Sequence, residues 1–255
     1  MNSIRVSPNS ICSQFIQLNG NIMKNCRIRP SLEVIVCSVK DSIEAQHGGA
    51  HRLEIVRDLD LGGLTPSIEV VEEIRQAVTL PARVMLRESS EHKVRESDII
   101  LRLEKKAEKL SSLGVEGVVL GFLTDDGQID LPLTRRILAT APDLKATFHR
   151  AFDETVDPVE EILRLKTLAQ VDRILSDGGA GDWKQKAERL IRYQRAANPE
   201  MTILVGGGLT DAIIKSLYAE TSLHAFHVGK AARIPQTNSG KVHRSMVRDL
   251  VGALT

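Results

Sequence analysis

His149, Arg150 and Asp153 crowd into five positions at the end of a short apolar run, in the segment TFHRAFD from Thr147 to Asp153. An imidazole with an unperturbed pKa near 6.5 exchanges protons at neutrality, and a neighbouring carboxylate moves that value across pH 7. The chemistry implied is acid–base work by His149, with Asp153 or the distant Glu54 orienting the ring and Arg150 and Arg87 as further pocket candidates. A second group lies towards the C-terminus, where Gly206-Gly207-Gly208 is followed by Gly229-Lys230-Ala231-Ala232-Arg233. The backbone amides of Gly207 and Gly208, with Lys230 and Arg233, suit phosphate or carboxylate, although glycine also serves tight turns. A third group is sulfur, Cys37 and Met85.

These residues need elements to position them. From Leu32 onward, short β-branched runs alternate with amphipathic stretches, the pattern of βα units on a parallel sheet. The strand candidates are Leu32 to Val36, Arg52 to Val56, Ala82 to Leu86, Gly117 to Gly121, Leu144 to His149, Val171 to Ser176, Thr202 to Gly206 and His224 to Val228. Between them, Ile100, Leu103, Ala107 and Leu110 recur at helical spacing, with Gly114 placed for a left-handed stop. Ser67 precedes Val70, Val71, Ile74 and Val78 as an N-cap, and Asp157-Pro158 opens another helix. Eight such units in this length make an α/β fold, a single (β/α)8 TIM barrel; a doubly wound open sheet is the alternative. TFHRAFD then closes the fifth strand, at the carboxyl edge where ligands bind in parallel sheets.

Alternation along each strand separates two faces. Leu32, Val34, Val36, Leu53, Ile55, Ala82, Val84 and Leu86 turn outward to the helices. Glu33, Ile35, Cys37, Arg52, Glu54, Arg83, Met85, Arg87, Thr147 and His149 turn inward. Burying that many charges requires pairing. Glu33, Arg52 and Arg83, at amino-terminal ends, read as a structural ion-pair network, whereas Arg87 and His149 fall nearer the functional edge. His227 is ambiguous, because His224 and Phe226 have the opposite parity.

The bulk composition narrows the function. The chain has 255 residues, 42% hydrophobic, with only 3% aromatic, so its core must be aliphatic. A net charge of +1 supplies no field for nucleic acid or an anionic membrane, and no basic stripe interleaves with aromatics. Cys12, Cys26 and Cys37 show no disulfide or zinc spacing, which fits a reducing, cytoplasmic compartment. No apolar run reaches the roughly 18 residues of a membrane span. Residues 1–31 read as an extension ahead of a barrel domain at 32–255. They hold Arg5, Lys24, Arg27 and Arg29 without an acid, as a transit peptide would, but are read as a disordered tail or upstream start, with Met23 an alternative initiator.

Several segments, taken in order, resemble the CutC family, named for copper homeostasis. They are LEV at Leu32, GGAHRLE from Gly48, GGLTPS from Gly62, Gly121 with LTDDGQID from Leu123, TFHRAFD, RILSDGG from Arg173, GGGL from Gly206 and FH at Phe226. The resemblance implies a (β/α)8 barrel, a cytoplasmic location, a homodimer and a role in binding or handling copper, for which the interior offers Cys37 and Met85 as ligands to a soft copper(I) ion, with His149 as an imidazole. Two departures matter. Family members follow strand three with arginine-proline-arginine and paired glycines, where this chain reads Arg87-Glu88-Ser89-Ser90-Glu91-His92-Lys93. Some relatives carry copper-competent cysteines in strands one and two, where Ile35 and Val56 stand here. Three functions stay open: copper homeostasis with copper ion binding, an enzyme acting on a small anionic metabolite, and a non-catalytic scaffold.

Overall fold

The computed structural model describes residues 28–255. Cys12, Cys26 and almost all of the expected N-terminal extension lie outside them. Eight parallel strands close into a barrel in sequence order, each hydrogen-bonded to the next and the eighth to the first. The strands are β1 (Ser31–Val36), β2 (Arg52–Ile55), β3 (Ala82–Met85), β4 (Gly117–Leu120), β5 (Lys145–Phe148), β6 (Val171–Ser176), β7 (Thr202–Val205) and β8 (Ala225–Val228). Every bound falls within one residue of its expected place. Closure excludes the open sheet.

The helices are α1 (Val39–Gly48), α2 (Ile68–Ala77), α3 (Ser97–Ser111), α4 (Leu131–Ala139), α5 (Pro158–Leu165), α6 (Trp183–Ala197), α7 (Asp211–Glu220) and α8 (Arg244–Gly252). Their starts follow local chemistry. Ser67 accepts from the Val70 amide, and Asp157 accepts from Val159 and Glu160 with Pro158 at the first helical position. Leu103, Ala107 and Leu110 form the buried stripe of α3, and Gly114 lies beyond its end at φ +67°. A short hairpin, β9 (Arg233–Ile234) with β10 (Lys241–Val242), separates β8 from α8.

The two strand faces build two interiors. Leu32, Val34, Val36, Leu53, Ile55, Ala82, Val84 and Leu86 are fully buried in the main apolar core between barrel and helices. The lumen is different. Small apolar clusters, Val56 with Met85 and Val119, and Leu175 with Leu204 and Ala225, line parts of its wall. Its amino-terminal end is filled by ions. Arg52 Nε donates to Glu116 Oε2 at 2.5 Å, Arg83 Nη2 to Asp172 Oδ2 at 2.8 Å and Arg83 Nη1 to Thr147 Oγ1 at 2.8 Å. Burial would raise the Glu116 pKa, but the hydrogen bond from Arg52 and the charges of Arg83, Arg52 and Arg173 hold it at about 2. Arg83 is completely buried, so this network plugs the barrel bottom.

Candidate functional site

The opposite end is open. A cavity of about 1180 Å³ occupies the carboxyl-terminal mouth, and His149, Arg150, Asp153, Glu54, Arg87 and Met85 all line it. Gly207, Gly208 and Lys230 line it too, so all but two of the expected site residues converge there. The exceptions are Arg233 and Cys37.

TFHRAFD places its groups in three environments. The His149 ring is buried where β5 ends, and its Nδ1 accepts from the Ala151 amide at 3.1 Å. The ring proton therefore sits on Nε2, which is buried and has no hydrogen-bond partner among the described residues. Burial, then the charges of His92 and Arg87, drive its pKa well below the ordinary value, so the imidazole is neutral. Gly121 makes this packing feasible, since a Cβ there would lie 2.5 Å from His149 Nδ1. Beside it stands His92, ring centroids 5.0 Å apart, with Nδ1 3.0 Å from Glu154 Oε1. Neither Asp153 nor Glu54 hydrogen-bonds His149, which corrects the expected orienting pair. Asp153 instead accepts from Ser176 Oγ at 2.5 Å, the Asp177 amide at 3.2 Å and Arg150 Nε at 3.0 Å. Arg150 also donates to Asp177 at 2.8 Å, so both of these charged residues brace the loop.

The glycine loops form another wall. Gly207 and Gly208 adopt φ of +85° and +82°, a left-handed pair that side-chain-bearing residues avoid. Their amides donate to no acceptor among the described residues, and Lys230, exposed, has no ion-pair partner there. The loop leads into α7, whose first turn adds the partial positive charge of a helix N-terminus. Asp60, Asp211 and Asp249 also border the cavity, so the positive character is local to this wall. Arg233 takes no part. It turns inward on the β9–β10 hairpin, fully buried, donating to Ile35 O at 3.0 Å and Gly240 O at 2.8 Å and facing Asp41 at 3.5 Å. Its sequence neighbour Lys230 reaches the mouth because a short 3-10 turn, Lys230–Ala232, separates them.

The sulfur pair is also corrected. Met85 borders the cavity, but Cys37 does not, and its Sγ lies 3.6 Å from the Arg233 guanidinium. Burial raises the thiol pKa despite that charge, so Cys37 is a protonated thiol beside a fixed cation, a poor copper(I) ligand. Arg87 is held by the loop, its amide donating to Thr65 Oγ1 at 2.7 Å, while its Nε has no partner among the described residues.

At the cavity floor lies a group whose centre sequence parity left undecided. Register pairs Glu33 on β1 with His227 on β8, which fixes His227 inward. Its Nδ1 is 2.9 Å from Glu33 Oε1 and its Nε2 is 3.4 Å from Glu54 Oε2. All three side chains are buried. Burial pushes Glu54 up to about 7, against the pull of His227 and with a further push from the Glu33 charge. For His227 burial opposes protonation, but the Glu54 and Glu33 carboxylates outweigh it and hold its pKa above 6.5. Burial also opposes ionisation of Glu33, and the His227 hydrogen bond with the charges of His227, Arg52 and Arg83 prevails, leaving its pKa lowered. His92 carries no spacing signal, whereas strand alternation alone turns Glu33 and Glu54 into the lumen.

Fold and site together define a (β/α)8 barrel with a ligand cavity at its carboxyl-terminal mouth and a plugged bottom. The chain belongs to the CutC family, whose model matches residues 31–232. It is 33% identical over 221 residues to a CutC family protein of Xanthomonas campestris pv. campestris, covering 87% of this chain and 91% of that one. It is also 33% identical over 217 residues to the human copper homeostasis protein cutC homolog, covering 85% and 78%. The crystal structure of CutC from Streptococcus agalactiae superposes with a TM-score of 0.73 at 25% identity, covering 78% of this chain and 98% of that one. Phosphoribosyl anthranilate isomerase from Thermococcus kodakaraensis, at 15% identity and a TM-score of 0.57 over 88% and 98%, shares the fold. No helix among the described residues is long and apolar enough to cross a membrane.

Proposed function

We propose that this chain works in copper homeostasis, the role for which its human relative is named, by binding a small phosphorylated or carboxylated molecule in the mouth cavity. The observation that carries the reading is a convergence of unsatisfied donors on one cavity. The Gly207 and Gly208 amides, the Lys230 ammonium and the Nε2–H of neutral His149 have no acceptor among the described residues. An anion accepts from the glycine wall and Lys230 at low reorganisation cost, because the loop already holds the left-handed geometry. His149 donates to a second oxygen deeper in the cavity. This replaces the acid–base role by a hydrogen-bond-donor role, since an imidazole with so low a pKa stays uncharged at neutrality. Copper(I) held by the Cys37 thiolate does not fit, because that side chain faces Arg233.

Complementation tests the reading. In cells lacking the protein, altered copper tolerance is restored by the wild-type chain and by Cys37→Ser, but not by Lys230→Ala or His149→Ala. Purified wild-type protein shows a higher melting temperature with phosphate or small carboxylates, and Lys230→Ala loses that shift. Restoration by both cavity variants, or a melting temperature unmoved across the anion panel, overturns the proposal.

A further inference from the structure

The floor of the cavity holds a feature that an anion site leaves unused. Glu33, Glu54 and His227 each offer a ligand atom, all within 4.8 Å of one another, the one such group of three or more among the described residues. The side chains are 2–7% exposed, and two carboxylate oxygens, Glu33 Oε2 and Glu54 Oε1, have no hydrogen-bond partner among the described residues. Arg52 Nε approaches Glu33 Oε2 only to 4.0 Å, beyond hydrogen-bond reach. Buried carboxylate oxygens left this way are costly unless a cation serves them. Donors sharing one ion through bonds of about 2.0–2.2 Å lie within roughly 4.4 Å of each other. The observed spacing needs only a small contraction to meet that.

We propose that Glu33, Glu54 and His227 form a binding site for a divalent transition-metal ion, reached through the mouth cavity. Two carboxylates and an imidazole are oxygen and nitrogen donors, which suit zinc(II) or copper(II) and not the thiol-seeking copper(I). The entry path exists, because Glu54 and His227 border the cavity while Glu33 does not. Glu33 also fixes the imidazole through Nδ1, leaving Nε2 turned towards Glu54, the arrangement in which a carboxylate orients a metal-bound histidine. With both carboxylates ionised and the imidazole neutral, a divalent ion brings the group to zero net charge. Metal binding releases the protons that these carboxyl and imidazole groups hold, as it does at any carboxylate–histidine site.

The test is equilibrium dialysis of chelator-treated full-length protein against zinc(II) or copper(II) chloride at pH 7.5, without phosphate. A single ion per chain is expected, with affinity lowered at least about tenfold in His227→Ala, Glu54→Gln and Glu33→Gln. Cys37→Ser and Lys230→Ala keep wild-type uptake, the latter separating this site from anion binding. Copper(II) resonance of the wild-type protein shows nitrogen coupling from one imidazole, a signal independent of whether any variant folds. No uptake at micromolar metal, uptake unchanged in both Glu54→Gln and His227→Ala, uptake abolished by Cys37→Ser, or a copper(II) spectrum without nitrogen coupling overturns the proposal. Any of these leaves the site a proton-sharing group only.

Discussion

Replacing Glu54 by glutamine should stabilise the protein increasingly as pH rises. Glu54 is buried at the lumen floor and its carboxyl is pushed from an ordinary 4.5 to about 7. Each pH unit of displacement corresponds to about 1.4 kcal/mol, so ionising Glu54 in the folded chain costs about 3 kcal/mol more than in the unfolded one. Between pH 4.5 and 7 the folded state binds more protons than the unfolded state, and stability falls with rising pH. The contribution of the protonated carboxyl is fully present below pH 4.5 and is lost as pH passes about 7. His227, held above 6.5, acts in the same direction, since its contribution is also lost as pH rises through its folded value. Glutamine cannot ionise, yet its carbonyl can still accept from His227 Nε2. Its loss of charge removes part of the support for His227⁺, so the net gain at pH 8 is about 1–3 kcal/mol, shrinking below about 1 kcal/mol at pH 5. Urea unfolding of metal-free wild type and Glu54→Gln at pH 5, 6, 7 and 8 measures the difference. A constant difference across that range, or a variant less stable at pH 8 than wild type, refutes the reasoning.

Other outcomes follow from neighbouring groups. Arg83→Ala leaves Asp172 and Glu116 short of their buried partner and should cost about 3–5 kcal/mol in urea unfolding, without displacing any cavity residue. Arg233→Ala should likewise lower the melting temperature by several degrees while anion-induced stabilisation persists, because Arg233 braces the hairpin and not the mouth. Gly121→Ala forces a methyl group against the His149 ring, and should weaken anion binding about tenfold or more as well as reduce stability, measured by calorimetry and melting. Imidazole proton resonances should show His149 gaining its second proton only well below the ordinary imidazole value of 6.5, because burial disfavours the charged ring.

The strand faces were legible because alternation is written residue by residue. Leu32, Val34 and Val36 could only face helices, and Glu33 and Glu54 had to turn into the lumen. Ser67 and Asp157 announced their helices for the same local reason. What failed was chemistry decided by distant parts of the chain. Arg233 followed a glycine in a plausible anion loop, yet the β9–β10 hairpin turns it towards Asp41 and the carbonyl of Ile35. His149 had two carboxylates in prospect, but its own 3-10 turn supplies the Ala151 amide first. His227 became readable only through register with Glu33 across β1 and β8, far apart in sequence. His92 reaches His149 from the loop after β3, a segment that carries no spacing signal.

The ionic plug at the bottom has a kinetic consequence. Among the described residues Arg52, Arg83 and Glu116 close one end, which leaves the mouth as the way to the floor. A metal ion bound on that floor would enter and leave past the glycine wall, through the same opening as an anion. An anion held at Gly207, Gly208 and Lys230 narrows that opening, and should slow metal exchange without weakening the metal's own contacts.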